Sequence, residues 1–326
     1  MLANFKPVAS SAYVLASLMI AHIYSVRRFP QNGESLQAEH FYCETGGKGL
    51  NVLVGLHKLG TPVSGIIPCG QHPFSQQQCR DILAQWQLDH IAITLTSEYN
   101  GHGVALVDAQ GQNQIVVHPG ANAVLNASHI QQHVTDIEQA DLSYASFELP
   151  DAAICTAFSI ARAAGRMTVL NPSPYREISP ELLALTDVLI VNQTEAQTWL
   201  QSPAEYFTSR DAALNWLHSS HFNQRFPGKS LVMTLGGQGA VAMLEDGRTC
   251  QQAGLKTNVI DSVGAGDAFA SAFLASMLRG NAIDAALQNG CASASLAIRQ
   301  HGLLPHLPTM ETLQSFLDRQ GFDTNS

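Results

Sequence analysis

Short apolar segments alternate with helix-length segments through the second half of the chain. Parallel strands need a crossover connection, usually a helix, and continuous apolar runs are typical of strands that are covered on both faces. The alternation therefore predicts an α/β fold with a mostly parallel central sheet between two layers of helices. The predicted strands are 142–147, 167–170, 188–191 and 231–235, and the predicted helices include 151–164, 266–278 and 283–299.

An apolar segment near the start, residues 10–26, reads SSAYVLASLMIAHIYSV. A secretory signal needs positive charge ahead of its apolar region, and here only Lys6 precedes it. A membrane span needs about 20 apolar residues, and His22 interrupts this run. We interpret the segment as a buried first strand of the parallel sheet that continues into extended chain, and expect no membrane association.

Charge is sparse and its balance is acidic. Only 13% of the 326 residues are charged, and 17 basic against 26 acidic residues give a formal net charge of −9. An electrostatic nucleic-acid binder needs a clustered basic face, which this composition excludes. The six cysteines are scattered without metal-ligand spacing, and they indicate reduced thiols in a cytoplasmic protein.

The strongest local motif is DSVGAGD, residues 261–267, which leads into an apolar helix. Glycines before a helix start leave backbone N–H groups and the positive end of the helix dipole at one point, which favours an anion. Asp267 in the first turn could then act as a general base on a hydroxyl beside that anion. Alternatively, Asp267 only caps the helix, and the motif by itself supports both interpretations equally.

A second glycine-rich motif, GGKGLN, occupies residues 46–51. It is not a P-loop, because Tyr42 stands where the first glycine of that motif would be. Lys48 and Asn51 lie three residues apart and would point to the same side of a helix start. The motif indicates either a site for a small polar ligand or a tight turn before a helix.

Polar residues and glycines follow the predicted strands. In open parallel sheets, ligands bind outside the carboxyl ends of the strands. These positions are therefore candidate site residues: Glu148, Asn171, Asn192, Gly236 and Asp261.

Several motifs together resemble the PfkB carbohydrate-kinase family, and within it the ribokinase branch, over residues 13–316. They are FPQNGE (29–34), GGKGLN (46–51), HPGANAVL (118–125), FELP (147–150), LNPSP (170–174), NQTEA (192–196), TLGGQG (234–239) and DSVGAGDAF (261–269). The resemblance implies an α/β/α sandwich in a single kinase domain, residues 1–326. It also implies a small β-sheet lid from insertions at about 20–44 and 96–119, and a homodimer formed through that lid.

The resemblance implies ATP-dependent phosphoryl transfer to a hydroxyl of a small carbohydrate. Asp267 would be the catalytic base, and the N–H groups of Ala265 and Gly266, which follow Gly264, would form the anion hole for the γ-phosphoryl group. Asn192 and Glu195 would hold Mg²⁺, largely through water. The nucleotide would contact Thr234, Gly236, Gly239 and Gly266. A monovalent cation, K⁺, would be held at Asp261, Val263, Ala297, Gln300, Gly302 and His306.

The acceptor site shows one departure from the branch pattern. The sugar hydroxyls would be held by Gly47, Lys48, Asn51, Glu148 and Asp267. Ribokinase-type members carry an Asn and an Asp where this chain has Met19 and Ala21, and a Thr where it has His102. We therefore expect an acceptor that is not simply ribose: a less hydroxylated sugar, a nucleoside, or a compound with an apolar group facing Met19.

Two other functions fit the same motifs. One is a nucleoside kinase of the same fold. The other is a non-catalytic regulator that binds a sugar or a nucleotide. A degenerate binder is expected to lose the base, the anion hole or the acidic residue of the NxxE motif, and the chain keeps Asp267, Gly266 and Glu195. These residues favour an enzyme.

Overall fold

The computed structural model describes residue 2 and residues 10–321 of the chain. Their strands are β1 Ala12–Leu15, β2 Met19–Ser25, β3 His40–Gly46, β4 Val63–Gly70, β5 Ala92–Thr96, β6 Gly101–Val107, β7 Asn113–His118, β8 Leu142–Ser146, β9 Met167–Asn171, β10 Val188–Asn192, β11 Ser230–Thr234, β12 Gly239–Met243 and β13 Thr249–Ala253. Their α-helices are α1 Lys48–Lys58, α2 Pro73–Gln85, α3 Ala127–Ile130, α4 Val134–Gln139, α5 Asp151–Ala163, α6 Pro180–Leu185, α7 Gln193–Leu200, α8 Arg210–Ser219, α9 Phe222–Arg225, α10 Ala265–Leu278, α11 Ile283–Ala297 and α12 Met310–Arg319.

The central sheet has nine strands in the order β13-β12-β11-β10-β9-β8-β1-β4-β5. Every neighbouring pair from β5 to β11 is parallel, and β12 and β13 add an antiparallel edge. The mostly parallel sheet predicted from the alternation is confirmed. The four predicted strands correspond to β8, β9, β10 and β11, and the three predicted helices to α5, α10 and α11.

Two apolar cores cover the two faces of this sheet. Successive side chains of a strand point to opposite faces, and accordingly Val14 belongs to one core while Tyr13 and Leu15 belong to the other. Helices α1, α10, α11 and α12 contribute to the core that contains Val14, and helices α5, α6, α7 and α8 to the other. The expected three-layer sandwich is therefore confirmed.

A second, four-stranded sheet, here called the small sheet, has the order β3-β2-β6-β7. Strand β2 pairs antiparallel with β3 and parallel with β6, which forms an antiparallel hairpin with β7. Its strands lie within residues 19–46 and 101–118, close to the two segments that the resemblance predicts as insertions.

The apolar segment 10–26 is shared between the two sheets. Its first part, β1, is a buried central strand as predicted, but its continuation is not merely extended chain, since β2 belongs to the small sheet. The change of sheet is held by Asn122, which accepts a hydrogen bond from the Leu18 N–H at 3.0 Å and donates to the Leu18 carbonyl at 2.8 Å. Within the described residues, no helix is both long and apolar enough to cross a membrane.

Candidate active site

The first turn of α10 places a carboxylate beside exposed backbone. Gly264 caps the helix with a left-handed φ of 75°, and a Cβ there would lie 2.2 Å from Leu303 Cδ2, so only glycine fits. At the following helix start the Ala265 N–H donates to the Ser262 carbonyl at a long 3.3 Å, and a Cβ on Gly266 would meet no atom within 4 Å. Open space therefore lies over the end of α10 that favours an anion.

Asp267, in this first turn, is 4% exposed and is held by two residues of α1. Asn51 Nδ2 donates a hydrogen bond to Asp267 Oδ2 at 2.7 Å, and Lys48 Nζ lies 3.7 Å from Asp267 Oδ1. Burial acts to lower the pKa of Lys48, but the charges of the surrounding carboxylates, Asp267 first, raise it overall. Lys48 and Asn51 do point to one side of the helix start, and Lys48 is a protonated partner of the buried carboxylate.

Glu148 joins the end of β8 to the same helix start. Its Oε2 accepts hydrogen bonds from the Lys48 N–H at 2.7 Å and from Ser17 Oγ at 2.5 Å, and Ser17 Oγ in turn accepts from the Gly49 N–H at 3.0 Å. Burial raises the pKa of Glu148, against the hydrogen bonds from Ser17 and Lys48. Ser17 was not among the site residues predicted from the sequence. The signal that could have indicated it is a lone hydroxyl within the apolar run 14–20.

Two buried polar atoms around this cluster have no hydrogen-bond partner within the described chain. They are Asn51 Oδ1 and the hydroxyl of Tyr144. Burial raises the pKa of Tyr144, and the negative charges of Asp267, Glu148 and Glu195 add to the effect. The cluster therefore combines three carboxylates with a fully buried phenol.

A cleft of about 390 Å³ lies on the other side of the α10 start. The predicted residues Thr234, Gly236, Gly239, Ala265 and Gly266 all line it. Gly266 lines the cleft, while the carboxylate of the next residue faces Asn51. The cleft and the carboxylate cluster therefore meet at the start of α10.

Further lining residues of the cleft escaped the sequence analysis. They come from α11 and from the segment after β13: Leu255, Thr257, Cys291, Ala294, Ser295 and Ile298. On α11 these residues are spaced three or four apart and are mostly small, which is the signal that one face of that helix approaches a ligand.

Comparison with known proteins identifies the family of this chain. The family described as pfkB family carbohydrate kinase matches residues 9–310. The chain belongs to this family. Over 306 residues it is 29% identical to a ribokinase of Haemophilus influenzae (94% of this chain and 97% of that one) and 25% identical to a deoxyribokinase of Salmonella typhimurium (93% and 97%).

Solved structures share the fold of this pfkB-family chain. Arabidopsis thaliana ribokinase complexed with ribose and ATP superimposes with a TM-score of 0.84 at 23% identity, covering 95% of this chain and 99% of that one. Burkholderia thailandensis nucleoside kinase in complex with inosine superimposes with a TM-score of 0.72 at 20% identity, covering 96% and 98%. The likeness extends over both the central and the small sheet.

The NxxE pair of this pfkB-family chain forms a capping box at the start of α7. Asn192 Oδ1 accepts from the Glu195 N–H at 2.9 Å, and Glu195 Oε2 accepts from the Asn192 N–H at 2.8 Å. Glu195 is 6% exposed, and its negative charge is among those that raise the pKa of Lys48. Amide and carboxylate oxygens suit Mg²⁺, and since two of them already bind backbone, a water-mediated contact fits this pair better than direct ligation.

The six residues predicted to hold K⁺ lie on two adjoining segments. The N–H groups of Ile260 and Asp261 both donate to the Ile298 carbonyl, at 2.8 and 3.2 Å, and Leu303 packs beneath Gly264. No group of three or more His, Cys, Asp or Glu side chains in the described part of the chain could hold a metal ion.

The predicted acceptor wall needs one correction. Met19 and Ala21 pair with Gly101 and Gly103 across β2 and β6, whereas His102 pairs with Ile20. Since side chains alternate between faces, His102 lies on the opposite face of the small sheet from Met19 and Ala21. It stacks on His22 with ring centroids 5.6 Å apart and does not share their wall.

Asn171, one of the candidates at the strand ends, has a structural role. Asn171 Nδ2 donates to the Ile190 carbonyl at 2.7 Å, so its amide ties β9 to β10. Its place at a strand end does not bring it into the carboxylate cluster or the cleft lining.

Proposed function

We propose that this carbohydrate kinase transfers the γ-phosphoryl group of ATP to a hydroxyl of a small neutral sugar, and that residues 1–326 form one kinase domain with the small sheet as its lid. The observation that carries the proposal is the buried Asp267 carboxylate, held by Asn51 and Lys48 directly beside the cleft at Gly266. A hydroxyl and a phosphate bound on the two sides of the α10 start would face each other.

In the proposed reaction, Asp267 accepts the proton of the attacking hydroxyl. The hydroxyl oxygen forms a bond to the γ-phosphorus, the bond from phosphorus to the bridging oxygen breaks, and ADP leaves. The N–H groups of Ala265 and Gly266 stabilise the charge on the transferred group, aided by the dipole of α10. Mg²⁺ bound to the nucleotide supplies charge neutralisation, and Asn192 and Glu195 would hold its water shell.

The remaining candidate residues divide between the two ligands. On the nucleotide side, Thr234, Gly236 and Gly239 line the cleft, and the small side chains of Cys291 and Ala294 on α11 add apolar lining for a base. On the acceptor side, hydroxyl groups would meet Gly47, Lys48, Asn51 and Glu148. K⁺ would bind at Asp261, Val263, Ala297, Gln300, Gly302 and His306.

The acceptor is proposed to carry an apolar edge towards Met19 on β2. Met19 and Ala21 offer no charge there, and Met19 Sδ is engaged by Asn122 Nδ2 at 3.3 Å. A relative that is 25% identical is named deoxyribokinase, which supports an acceptor with fewer hydroxyls than ribose.

A substrate panel tests this proposal. ADP release is measured with ribose, 2-deoxyribose, other small sugars and nucleosides, with ATP as donor. We expect the best kcat/KM for a sugar that lacks a hydroxyl at one position. Efficient phosphorylation of ribose with a micromolar KM would contradict the proposed acceptor, preference for nucleosides would favour the nucleoside-kinase alternative, and no turnover with any acceptor would favour a non-catalytic binder.

The proposed assembly is a homodimer through the small sheet. Both faces of this sheet expose apolar side chains, among them Phe41 at 55%, Ile115 at 60% and Val116 at 73%. Exposed apolar side chains at this density are typical of an interface. Light scattering on the purified protein tests the assembly.

All six cysteines, which lie within the described residues, are free thiols, and this supports the proposed cytoplasmic location.

A further inference from the structure

Glu44 on β3 lies on the face of the small sheet that is turned towards the catalytic cluster. Its partner across the strand pair is Ala21, and Gly46 two residues later pairs with Met19. A Cβ on Gly46 would lie 3.6 Å from Asn51 Oδ1, the oxygen of the side-chain amide whose nitrogen donates to Asp267. Because residues two apart in a strand share a face, Glu44 is directed to the same side.

The Glu44 carboxylate is half-buried and uncompensated. Within the described residues, no hydrogen bond or ion pair to it is found, and its Oε1 lies 3.3 Å from where a Cβ on Gly302 would be. Leaving a carboxylate in such a place is costly unless a donor arrives to bind it.

A second acceptor atom on the same side also has no donor. Asn51 is 8% exposed, its Nδ2 is bound to Asp267, and its Oδ1 is buried without a partner. Two hydrogen-bond acceptors without a donor therefore lie on this side of the small sheet: Asn51 Oδ1 beside Gly46, and the Glu44 carboxylate beside Gly302. A ligand that presents O–H groups would satisfy both, whereas one with a carboxylate or phosphate group would be repelled by Glu44.

We propose that Glu44 is a specificity-determining residue that accepts hydrogen bonds from hydroxyl groups of a neutral acceptor. Ala21, directly across from it in the β2–β3 pair, has no side chain beyond Cβ and offers no carboxylate of its own. Recognition of hydroxyls is thus made from β3 and not from β2. The inference rests on the proposed kinase function and names the residue that selects its substrate.

The test compares Glu44→Gln and Glu44→Ala with the unmodified kinase, using the best acceptor of the panel and its singly deoxygenated analogues. A hydrogen bond to a charged group is typically worth a factor of roughly ten to a hundred. We expect the KM and the calorimetric Kd of the acceptor to rise by about that factor in Glu44→Ala, with the KM of ATP unchanged within about threefold. An analogue lacking the contacted hydroxyl should bind both proteins alike.

Two controls separate recognition from a merely structural role. Glu39→Gln removes a carboxylate just before β3 that is exposed and paired with Arg27, and should change no kinetic constant. The double variant Ala21→Asp/Glu44→Ala returns a carboxylate to the facing position on β2 and should recover at least part of the acceptor affinity.

The outcomes distinguish this inference from the proposed function. If the unmodified protein turns over a sugar and Glu44→Ala leaves the acceptor KM unchanged, the assignment of Glu44 is wrong while the kinase function stands. Equal losses for every analogue, accompanied by a higher KM for ATP, would assign Glu44 to packing against Gly302 and overturn the inference. Absence of turnover by the unmodified protein would instead contradict the proposed function itself.

Discussion

Two parts of the proposed site differ in how their residues are held. One is the carboxylate cluster at α1 and α10, and the other is the wall on the small sheet, meaning Met19, Ala21 and Glu44. In the cluster, Asn51 binds Asp267 at 2.7 Å, and Glu148 accepts from the Ser17 hydroxyl at 2.5 Å and from the Lys48 N–H at 2.7 Å. On the wall, Glu44 pairs with Ala21 across the strands, and within the described residues its carboxylate has no hydrogen-bond partner. A change in the cluster therefore disturbs several contacts at once, whereas a change in the wall alters one contact with the ligand.

The largest expected effect is at Asp267. Asp267→Ala removes the proposed base, and general-base catalysis typically contributes roughly 10² to 10⁴ in rate. We expect kcat to fall by about that factor while the calorimetric Kd of ATP stays within about threefold, because the cleft lining is unchanged. Retained turnover would show that another group accepts the proton and that the cluster does not carry the chemistry.

Ser17 tests whether the cluster depends on its internal hydrogen bonds. Ser17→Ala deletes the donor to Glu148 and the acceptor of the Gly49 N–H, and we expect the acceptor KM to rise roughly tenfold or more. Ser143→Ala is a matched control, since that serine is also fully buried but its Oγ has no hydrogen-bond partner among the described residues. Similar losses in both variants, seen together with reduced thermal stability, would mean that Ser17 acts through packing alone.

Met19 tests the independence of the wall. Met19→Asn replaces the thioether on β2 with an amide, and we expect the ratio of kcat/KM for ribose over 2-deoxyribose to rise by about tenfold. The kcat with the best acceptor should stay near its original value, since Asp267 is held by Asn51 and Lys48, and Met19 is engaged by Asn122. A fall in kcat for all sugars would break the distinction between wall and cluster.

The smallest effect concerns the pH dependence set by Glu148. Burial raises its pKa above the ordinary range for Glu, so on acidification Glu148 loses its charge earlier than an exposed carboxyl would. The acceptor KM should therefore increase as the pH falls, beginning above the usual Glu pKa, by a few-fold for one weakened contact. Glu148→Gln cannot titrate and should flatten this acid limb, and an unchanged limb would assign it to another group.

The sequence predicted the cluster well because its residues sit in local motifs. Asp267, Lys48 and Asn51 lie at helix starts that glycines mark. Their meeting is not a matter of parallel topology alone, because α1 follows β3 of the small sheet and α10 follows the antiparallel edge strand β13. The wall was harder to predict, since it depends on strand register. The error at His102 came from treating it as a neighbour of Ala21, when the pairing of β2 with β6 sends the two side chains to opposite faces.

Contacts between distant parts of the chain account for what else was missed. The change of sheet after Leu18 is fixed by Asn122, more than a hundred residues away, and an apolar run carries no sign of it. Ser295 joins the cleft because α11 packs beside the segment that follows β13, and Glu44 matters because a loop at Gly302 approaches it. Such neighbours are set by packing and not by local pattern.

The connection between β1 and β2 has a mechanical consequence. Only Ala16, Ser17 and Leu18 separate a strand at the centre of the rigid core from a strand of the small sheet, and the middle residue of the three is the partner of Glu148. A rotation of the small sheet about this short hinge would turn Ser17 with it and pull on the Glu148 hydrogen bond. A movement of the small sheet over the site would then change the hydrogen bonding of the Glu148 carboxylate.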